Sequence, residues 1–369
     1  MNVPLLDLVA QYKSIKDDVL PALQQLFESQ QFIMGPAIAQ LEVEVAKLCH
    51  TPHGVGCASG TDALLLPLKA LDLKPGDEVI TTPFTFFASA GTIHNAGGTP
   101  VFADIEPDTF NIAPAAVAAA IGPRTRAVMP VHLYGQMAAM EKLRAVSKGL
   151  PLLEDACQAI GARRKIDGAW RMAGETGWCT GFSFFPSKNL GAWGDGGMMV
   201  TPDAALAERL KRLRLHGGAK QYHHDEVGTN SRLDTLQALV LLKKLPRLAS
   251  WSQLRREHAA YYTAAFRDVP AVRPPVIDPN NEHIFHQYTL RVERRDELAA
   301  HLKAQGIGHA VYYPIPLHLQ PCFAHLKVRA GSLPESERAS REAISLPIYP
   351  ELTRAQLDRV IDTVRGFYR

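Results

Sequence analysis

Residues 99–156 decide the fold. They contain TPVFADI (99–105), RAVMPVHLYG (126–135) and PLLEDA (151–156), three short apolar runs separated by helical patterns. Runs this short, apolar throughout and joined by crossovers long enough for a helix, read as parallel strands buried on both faces. The same rhythm extends back through HGVGCAS (53–59), the Ala/Leu-rich stretch after Thr61, DEVITT (77–82) and the segment around Ala90. A mostly parallel α/β sheet with helices on both faces follows, and its functional groups belong at the strand C-termini.

After GMMVTP (197–202) the pattern turns helical near Leu206–Leu215, Leu233–Leu245 and Trp251–Phe266, the last a helix long enough to bridge two domains. Pro270, Pro274, Pro275 and Pro279 interrupt regular structure. YTLRV (288–292), a helix near Leu298, HAVYY (309–313) and a terminal helix after Thr353 then form a smaller α/β unit. The expected division is a large domain over 1–250, including an N-terminal helical segment, and a small C-terminal domain over 251–369.

The 369 residues are 46% hydrophobic, enough for two cores, and 40 basic against 37 acidic residues leave a net charge of +3 spread along the chain. That balance has no basic stripe for nucleic acid. No apolar run approaches the ~20 residues that span a bilayer, and the N-terminus lacks a signal-peptide pattern. Five scattered cysteines, Cys49, Cys57, Cys157, Cys179 and Cys322, include no Cys-x-x-Cys pair. They read as reduced thiols in a cytoplasmic protein, not as a disulfide framework or zinc site. His216, His223 and His224 lack a carboxylate or thiol at ligand spacing, so no metal is expected.

The chemistry concentrates in residues 183–197, where Lys188 sits between a strand end and a glycine-rich turn. Taken alone a lysine is a solvated surface group; held by small and aromatic neighbours, where burial lowers its pKa, it suits imine formation with a carbonyl compound. Asp155 ends the apolar run of PLLEDA, where it is either a helix N-cap or a partner for a protonated ring nitrogen. Gln158 follows one helical turn later. Ser59, Gly60 and Thr61 open a helix whose free N–H groups suit a phosphate, Ser183 supplies another hydroxyl, and Phe86 offers a flat face for a ring or for the core. Asn230 and Arg232, in a polar turn opening an apolar helix, suit phosphate anchoring. Together these residues suit pyridoxal 5′-phosphate (PLP).

Read in order, ASGTDAL, GDEVI, VHLYGQ, EDACQAIGA, FSFFPSKNLGAWGDGG, HGG, YHHDEVGTNSRLDTLQA and YYPIPLHLQP resemble the DegT-type sugar-nucleotide aminotransferases, a branch of the fold type I, aspartate aminotransferase-like PLP enzymes. The likeness runs through nearly the whole chain. It implies that Lys188 holds the cofactor covalently, Asp155 partners the pyridine nitrogen, Gln158 contacts the ring, Phe86 stacks on it, and Gly60, Thr61 and Ser183 hold the phosphate. It further implies a homodimer in which Asn230 reaches the partner's phosphate, and pyridoxamine phosphate as the half-way form of the cofactor.

Some relatives carry histidine in place of the lysine and act as dehydratases; this chain keeps Lys188. SFFPSK, the YHH to LQA segment and YYPIPLHLQP look most like enzymes that aminate UDP-2-acetamido-2-deoxy-3-oxo-D-glucuronate with L-glutamate in surface-polysaccharide (O-antigen) synthesis. Arg232, Tyr312, Tyr313 and His318 are the implied substrate contacts, with Lys220 and His309 as further cations for the uronate. Tyr312 departs from the pattern, since near relatives carry His there. The alternatives are a dTDP-linked 3-oxo or 4-oxo-6-deoxyhexose as substrate, or a non-catalytic PLP-binding sensor. A nicotinamide oxidoreductase lacks support, because no Gly-x-Gly-x-x-Gly follows the first strand.

Overall fold

The computed structural model describes residues 1–218, 220 and 222–369. In chain order, helices α1 (Leu8–Ser29) and α2 (Pro36–Leu48) lead into β1 (His53–Cys57), α3 (Gly60–Ala70), β2 (Glu78–Thr81), α4 (Ala88–Asn95), β3 (Thr99–Phe102), α5 (Pro114–Ala120), β4 (Thr125–Met129), α6 (Met140–Ser147) and β5 (Leu153–Asp155). A hairpin of β6 (Arg163–Ile166) and β7 (Ala169–Met172) precedes β8 (Cys179–Ser183), β9 (Gly197–Thr201), α7 (Ala204–Leu213), α8 (Thr235–Lys244) and α9 (Leu248–Phe266). The remainder holds β10 (Val272–Arg273), β11 (Asn281–Glu282), β12 (Tyr288–Val292), α10 (Arg295–Ala304), α11 (Pro334–Glu342), β13 (Ala343–Leu346) and α12 (Arg354–Phe367).

Parallel bridges Val128↔Leu152 and Val131↔Asp155 join two ladders into one sheet of order β3-β2-β4-β5-β8-β9-β1. Every neighbouring pair is parallel except those of β9, which runs antiparallel to both β8 and β1. Side chains alternate between the faces as the pleat requires. Ile80, Val128, Met198 and Val200 join a core with α2, α5, α6 and α8, whereas Val79, Ala127, Met129 and Met199 pack with α3, α4 and α7. The all-apolar runs arise from this double burial, so the expected mostly parallel sheet covered on both faces is what forms.

The second core is built on the antiparallel sheet β10-β12-β13 with α10, α12 and the second half of α9. Helix α9 bridges the two: Leu248 belongs to the large core and Ala259, Tyr262 and Phe266 to the small one. The first residues of the chain also reach the small core, because Val3 pairs with Ile307 in a parallel bridge and is fully buried there.

One local reading differs from expectation, and one element lies where the sequence offered no reading. HAVYY (309–313) touches the small sheet only through Ala310↔Ser345 and otherwise runs as irregular chain, carrying Tyr312 and Tyr313 to the cluster of Phe84, Phe110 and Tyr134. The hairpin β6/β7, with three consecutive cations over Arg163–Lys165 and an exposed second strand, gives no strong apolar signal; it is pinned by buried Arg164, which donates to both Glu141 and Asp278. None of the helices among the described residues is long and apolar enough to cross a membrane.

Candidate active site

The parallel strands deliver their chemistry to one edge. Asp155 is the last residue of β5 and Ser183 the last of β8, while Gly60 opens α3 just beyond the end of β1. Because β9 is antiparallel, its first residue, Gly197, stands at the same edge. A cavity of about 390 Å³ opens there, lined among others by Gly60, Thr61, Phe86, Asp155, Gln158 and Lys188. That volume lies within the usual range for small-ligand sites.

Alternation along β5 separates two adjacent acids. Glu154 points into the core, where it accepts from His132 Nε2 at 2.8 Å, the Gly174 amide and the Thr176 hydroxyl. Burial alone would raise its pKa, but these donors bring it below the ordinary value. Asp155 points into the cavity. Its Oδ2 accepts from Ser89 Oγ at 2.7 Å and its Oδ1 from the Cys157 amide at 3.2 Å, which leaves further lone pairs on a carboxylate already fixed in direction.

Lys188 lies on a tight turn after β8, closed by Lys188 N to Phe185 O at 2.9 Å and Ala192 N to Phe184 O at 2.8 Å. Asn189 locks the same turn to the C-terminal half by donating to Ile284 O. Burial pushes the Lys188 amine below its ordinary value, against the opposing pull of Cys157 and Asp155. A lysine nearer neutrality is what imine chemistry and proton transfer require. The Cys157 thiol, raised by burial, stays protonated and inert.

The start of α3 forms the third wall. Ser59 caps the helix by accepting from Asp62 N at 3.1 Å, which leaves the Gly60 and Thr61 amides facing the cavity mouth. Gly60 is required by proximity: a Cβ there would meet Ser183 Cβ at 2.5 Å and Oγ at 2.7 Å. Helix amides and two hydroxyls thus converge on one point, a cradle for an anion. Phosphate cradle, carboxylate and half-buried lysine around one cavity fit PLP: Gly60, Thr61 and Ser183 would hold its phosphate, Asp155 its ring nitrogen and Lys188 its carbonyl carbon.

Gln158 Oε1 accepts from Tyr134 N at 2.7 Å and its Nε2 donates to Tyr313 OH at 3.0 Å. Tyr312 and Tyr313 line the cavity with Phe86, whose ring is 58% exposed and 6.5 Å from that of Tyr313. Asn230, Arg232 and His318, with the further cations Lys220 and His309, are not among the lining. Asn230 is exposed and Arg232 half-buried on the turn before α8. His318 is buried beneath Phe102 and bonds Glu337 at 3.2 Å.

The structure adds residues that sequence reasoning passed over. His286, 5% exposed, lines the cavity, and its Nδ1 donates to Asn189 Oδ1 at 3.2 Å, since the Asn189 amide nitrogen is already committed to Ile284. Burial, helped by the charge of Lys188, holds His286 neutral with its pKa well below the ordinary value. Gln287, Thr85 and Asp195 also face the cavity. The one available signal was Asp195 within the glycine-rich turn; His286 and Gln287 come from a loop about 100 residues after Lys188, brought in by domain packing.

Comparison with known proteins agrees with this geometry. The family model "DegT/DnrJ/EryC1/StrS aminotransferase family" matches residues 13–365. A Geobacillus stearothermophilus "pleiotropic regulatory protein" is 50% identical, covering 100% of this chain and 99% of its own. The Streptomyces venezuelae "dTDP-3-amino-3,4,6-trideoxy-alpha-D-glucose transaminase" is 44% identical, covering 99% and 96%. The Pseudomonas aeruginosa "UDP-2-acetamido-2-deoxy-3-oxo-D-glucuronate aminotransferase" is 41% identical, covering 96% and 97%. The crystal structure of S. venezuelae DesV in complex with a ketimine intermediate superposes with a TM-score of 0.96 at 44% identity, over 100% of this chain and 99% of that one. Other solved neighbours are Bacillus subtilis NtdA with bound pyridoxamine phosphate and the PLP form of the Streptococcus pneumoniae protein Spr1654. The chain belongs to the DegT/DnrJ/EryC1/StrS family and is a PLP-dependent sugar-nucleotide aminotransferase.

Proposed function

We propose that the chain transfers the amino group of L-glutamate to the C3 ketone of UDP-2-acetamido-2-deoxy-3-oxo-D-glucuronate, releasing 2-oxoglutarate and UDP-2-acetamido-3-amino-2,3-dideoxy-D-glucuronate. The observation that carries it is the cavity itself, with a half-buried, pKa-lowered lysine beside a carboxylate held by two donors. Position C3 is supported by the S. venezuelae and P. aeruginosa relatives, whose names place the amine or ketone at that carbon although the nucleotides differ.

Bound in this cavity, PLP supplies an electron sink for the carbon that loses and regains a proton. The chain handles the proton and the orientation. Lys188 Nζ would carry the proton between two carbon positions, a role its lowered pKa favours. Asp155 would pair with the ring nitrogen, and Gln158 with Tyr313 closes the cavity from the C-terminal side.

The uronate carboxylate needs a cation, and among the described lining residues Lys188 is committed to the cofactor and His286 is neutral. Arg232 and Lys220, outside the cavity of their own chain, suit that role from a partner subunit. A homodimer in the cytoplasm, with active sites shared across its interface, is therefore part of the proposal. Support comes from Ile33, which pairs with Asp234 beside the Asn230–Arg232 turn and is 56% exposed, with Met34 41% exposed next to it.

Two other readings have an observation behind them. The S. venezuelae relative favours a dTDP-linked keto sugar, and the Geobacillus relative, named as a regulator, favours a PLP-binding sensor. One experiment separates all three: PLP-loaded protein is mixed with L-glutamate while the visible absorbance of the lysine-bound cofactor is followed, then challenged with each keto sugar. Bleaching by glutamate and recovery only with the UDP-uronate supports the proposal. Recovery only with dTDP sugars replaces the substrate, and no bleaching by any amino donor leaves the sensor.

A further inference from the structure

Segment Pro83–Ser89 does more than present Phe86. Behind it, Ser89 is fully buried on the first turn of α4 and Thr85 is 2% exposed at the cavity wall. Ser89 Oγ stands 2.7 Å from Asp155 Oδ2 and 3.0 Å from Thr85 Oγ1. A carboxylate only accepts, so the single Ser89 proton goes to Asp155, and the Thr85 hydroxyl must therefore donate to Ser89. The result is a directed relay, Thr85 to Ser89 to Asp155, in which each hydroxyl polarises the next and the carboxylate cannot swing away from the cavity.

We infer that Ser89, backed by Thr85, is a positioning residue that sets the direction of the Asp155 carboxylate and so the protonation and grip of the cofactor's ring nitrogen. This rests on the PLP aminotransferase reading. The relay also ties ring stacking to ring charge, because Phe86 lies between its two hydroxyls in sequence: a shift of this one segment moves both.

Ser89→Ala is expected to weaken PLP binding about tenfold, the usual effect of losing a hydrogen bond to a charged acceptor. With ¹⁵N-labelled PLP, the ring-nitrogen resonance should move toward its unprotonated position. The glutamate half-reaction should slow by a similar factor while the KM for glutamate stays within about twofold, since Ser89 is fully buried behind the cavity wall and does not face the donor. Thr85→Val should give a smaller effect alone and none in the Ser89→Ala background, because it acts only through Ser89.

The melting temperature of the cofactor-free proteins controls for folding, and Thr85→Ser, which keeps the hydroxyl, should restore wild-type behaviour. PLP affinity within twofold of wild type and an unmoved nitrogen resonance in Ser89→Ala would overturn the inference. Additive effects of the two substitutions would overturn the relay. If wild-type protein fails to react with any amino donor, the aminotransferase reading falls, and the affinity and resonance arms still judge Ser89 by themselves.

Discussion

The amide of Gln158, one turn past the end of β5, donates at 3.0 Å to the phenolic oxygen of Tyr313, which arrives from the C-terminal half of the chain. The same side chain accepts from the Tyr134 amide, so one glutamine holds three segments around the cavity. Tyr313→Phe removes the partner of a half-buried amide donor at an otherwise unchanged wall. It should cost about 1 kcal/mol of stability and slow the sugar half-reaction more than the glutamate one, read by thermal unfolding and single-turnover kinetics.

Lys188→Ala should abolish turnover by at least about 10²–10⁴-fold, the contribution of a general acid–base group, while PLP still binds through the phosphate cradle. Lys188→Arg keeps the charge but neither the nucleophilicity nor the lowered pKa, so it should be equally inactive. Retained binding of PLP without lysine-dependent visible absorbance is the spectroscopic check.

At Gly60 any side chain meets Ser183. Gly60→Ala must push the start of α3 away from the end of β8 by several tenths of an ångström, which opens the phosphate cradle. PLP affinity should fall by about ten- to a hundredfold with unfolding of the cofactor-free protein changed far less, measured by titration with the cofactor. Equal affinity in variant and wild type would show that this loop does not hold the phosphate.

Buried Lys244 donates to Gln11 Oε1 at 2.8 Å and to Gly191 O at 2.6 Å, so it braces the turn carrying Lys188. Burial pushes its pKa down to about 8 from the ordinary 10.5. Between those two values the unfolded chain binds the proton and the folded one does not, so this group adds stability as pH rises from about 8 toward 10.5. Lys244→Met should lose that rise. The difference in melting temperature between wild type and variant, followed across this window, isolates the effect.

Asn230 is exposed and absent from the cavity of its own chain. If it serves a partner's phosphate, mixing inactive Lys188→Ala with weakened Asn230→Ala subunits should restore activity, because half of the sites in mixed dimers combine an intact lysine with an intact asparagine. Mixtures no more active than the sum of their parts would place Asn230 outside the site.

Much of this site was legible from local chemistry. An apolar strand ending in Asp155, a lysine between a strand and a glycine-rich turn, and small hydroxylated residues opening a helix each announce their position, because parallel strands expose only their ends. The motif order along the chain carried the family, and with it the cofactor. The alternation that sends Glu154 inward and Asp155 outward follows from strand geometry alone.

What only the tertiary structure decided is the company these residues keep. Nothing local singles out Ser89, Thr85 or His286; Ser89 meets Asp155 across 66 residues of sequence, with Thr85 behind it, and His286 meets Asn189 across 97. HAVYY has the residues of a strand, yet most of it leaves the small sheet because Tyr312 and Tyr313 pack against Phe84, Phe110 and Tyr134 on the other domain. Propensity and periodicity act within a few residues, and so they determine elements and strand ends. Hydrogen-bond partners and cavity walls depend on which distant segments the packing brings within about 3 Å, a distance set by the whole core.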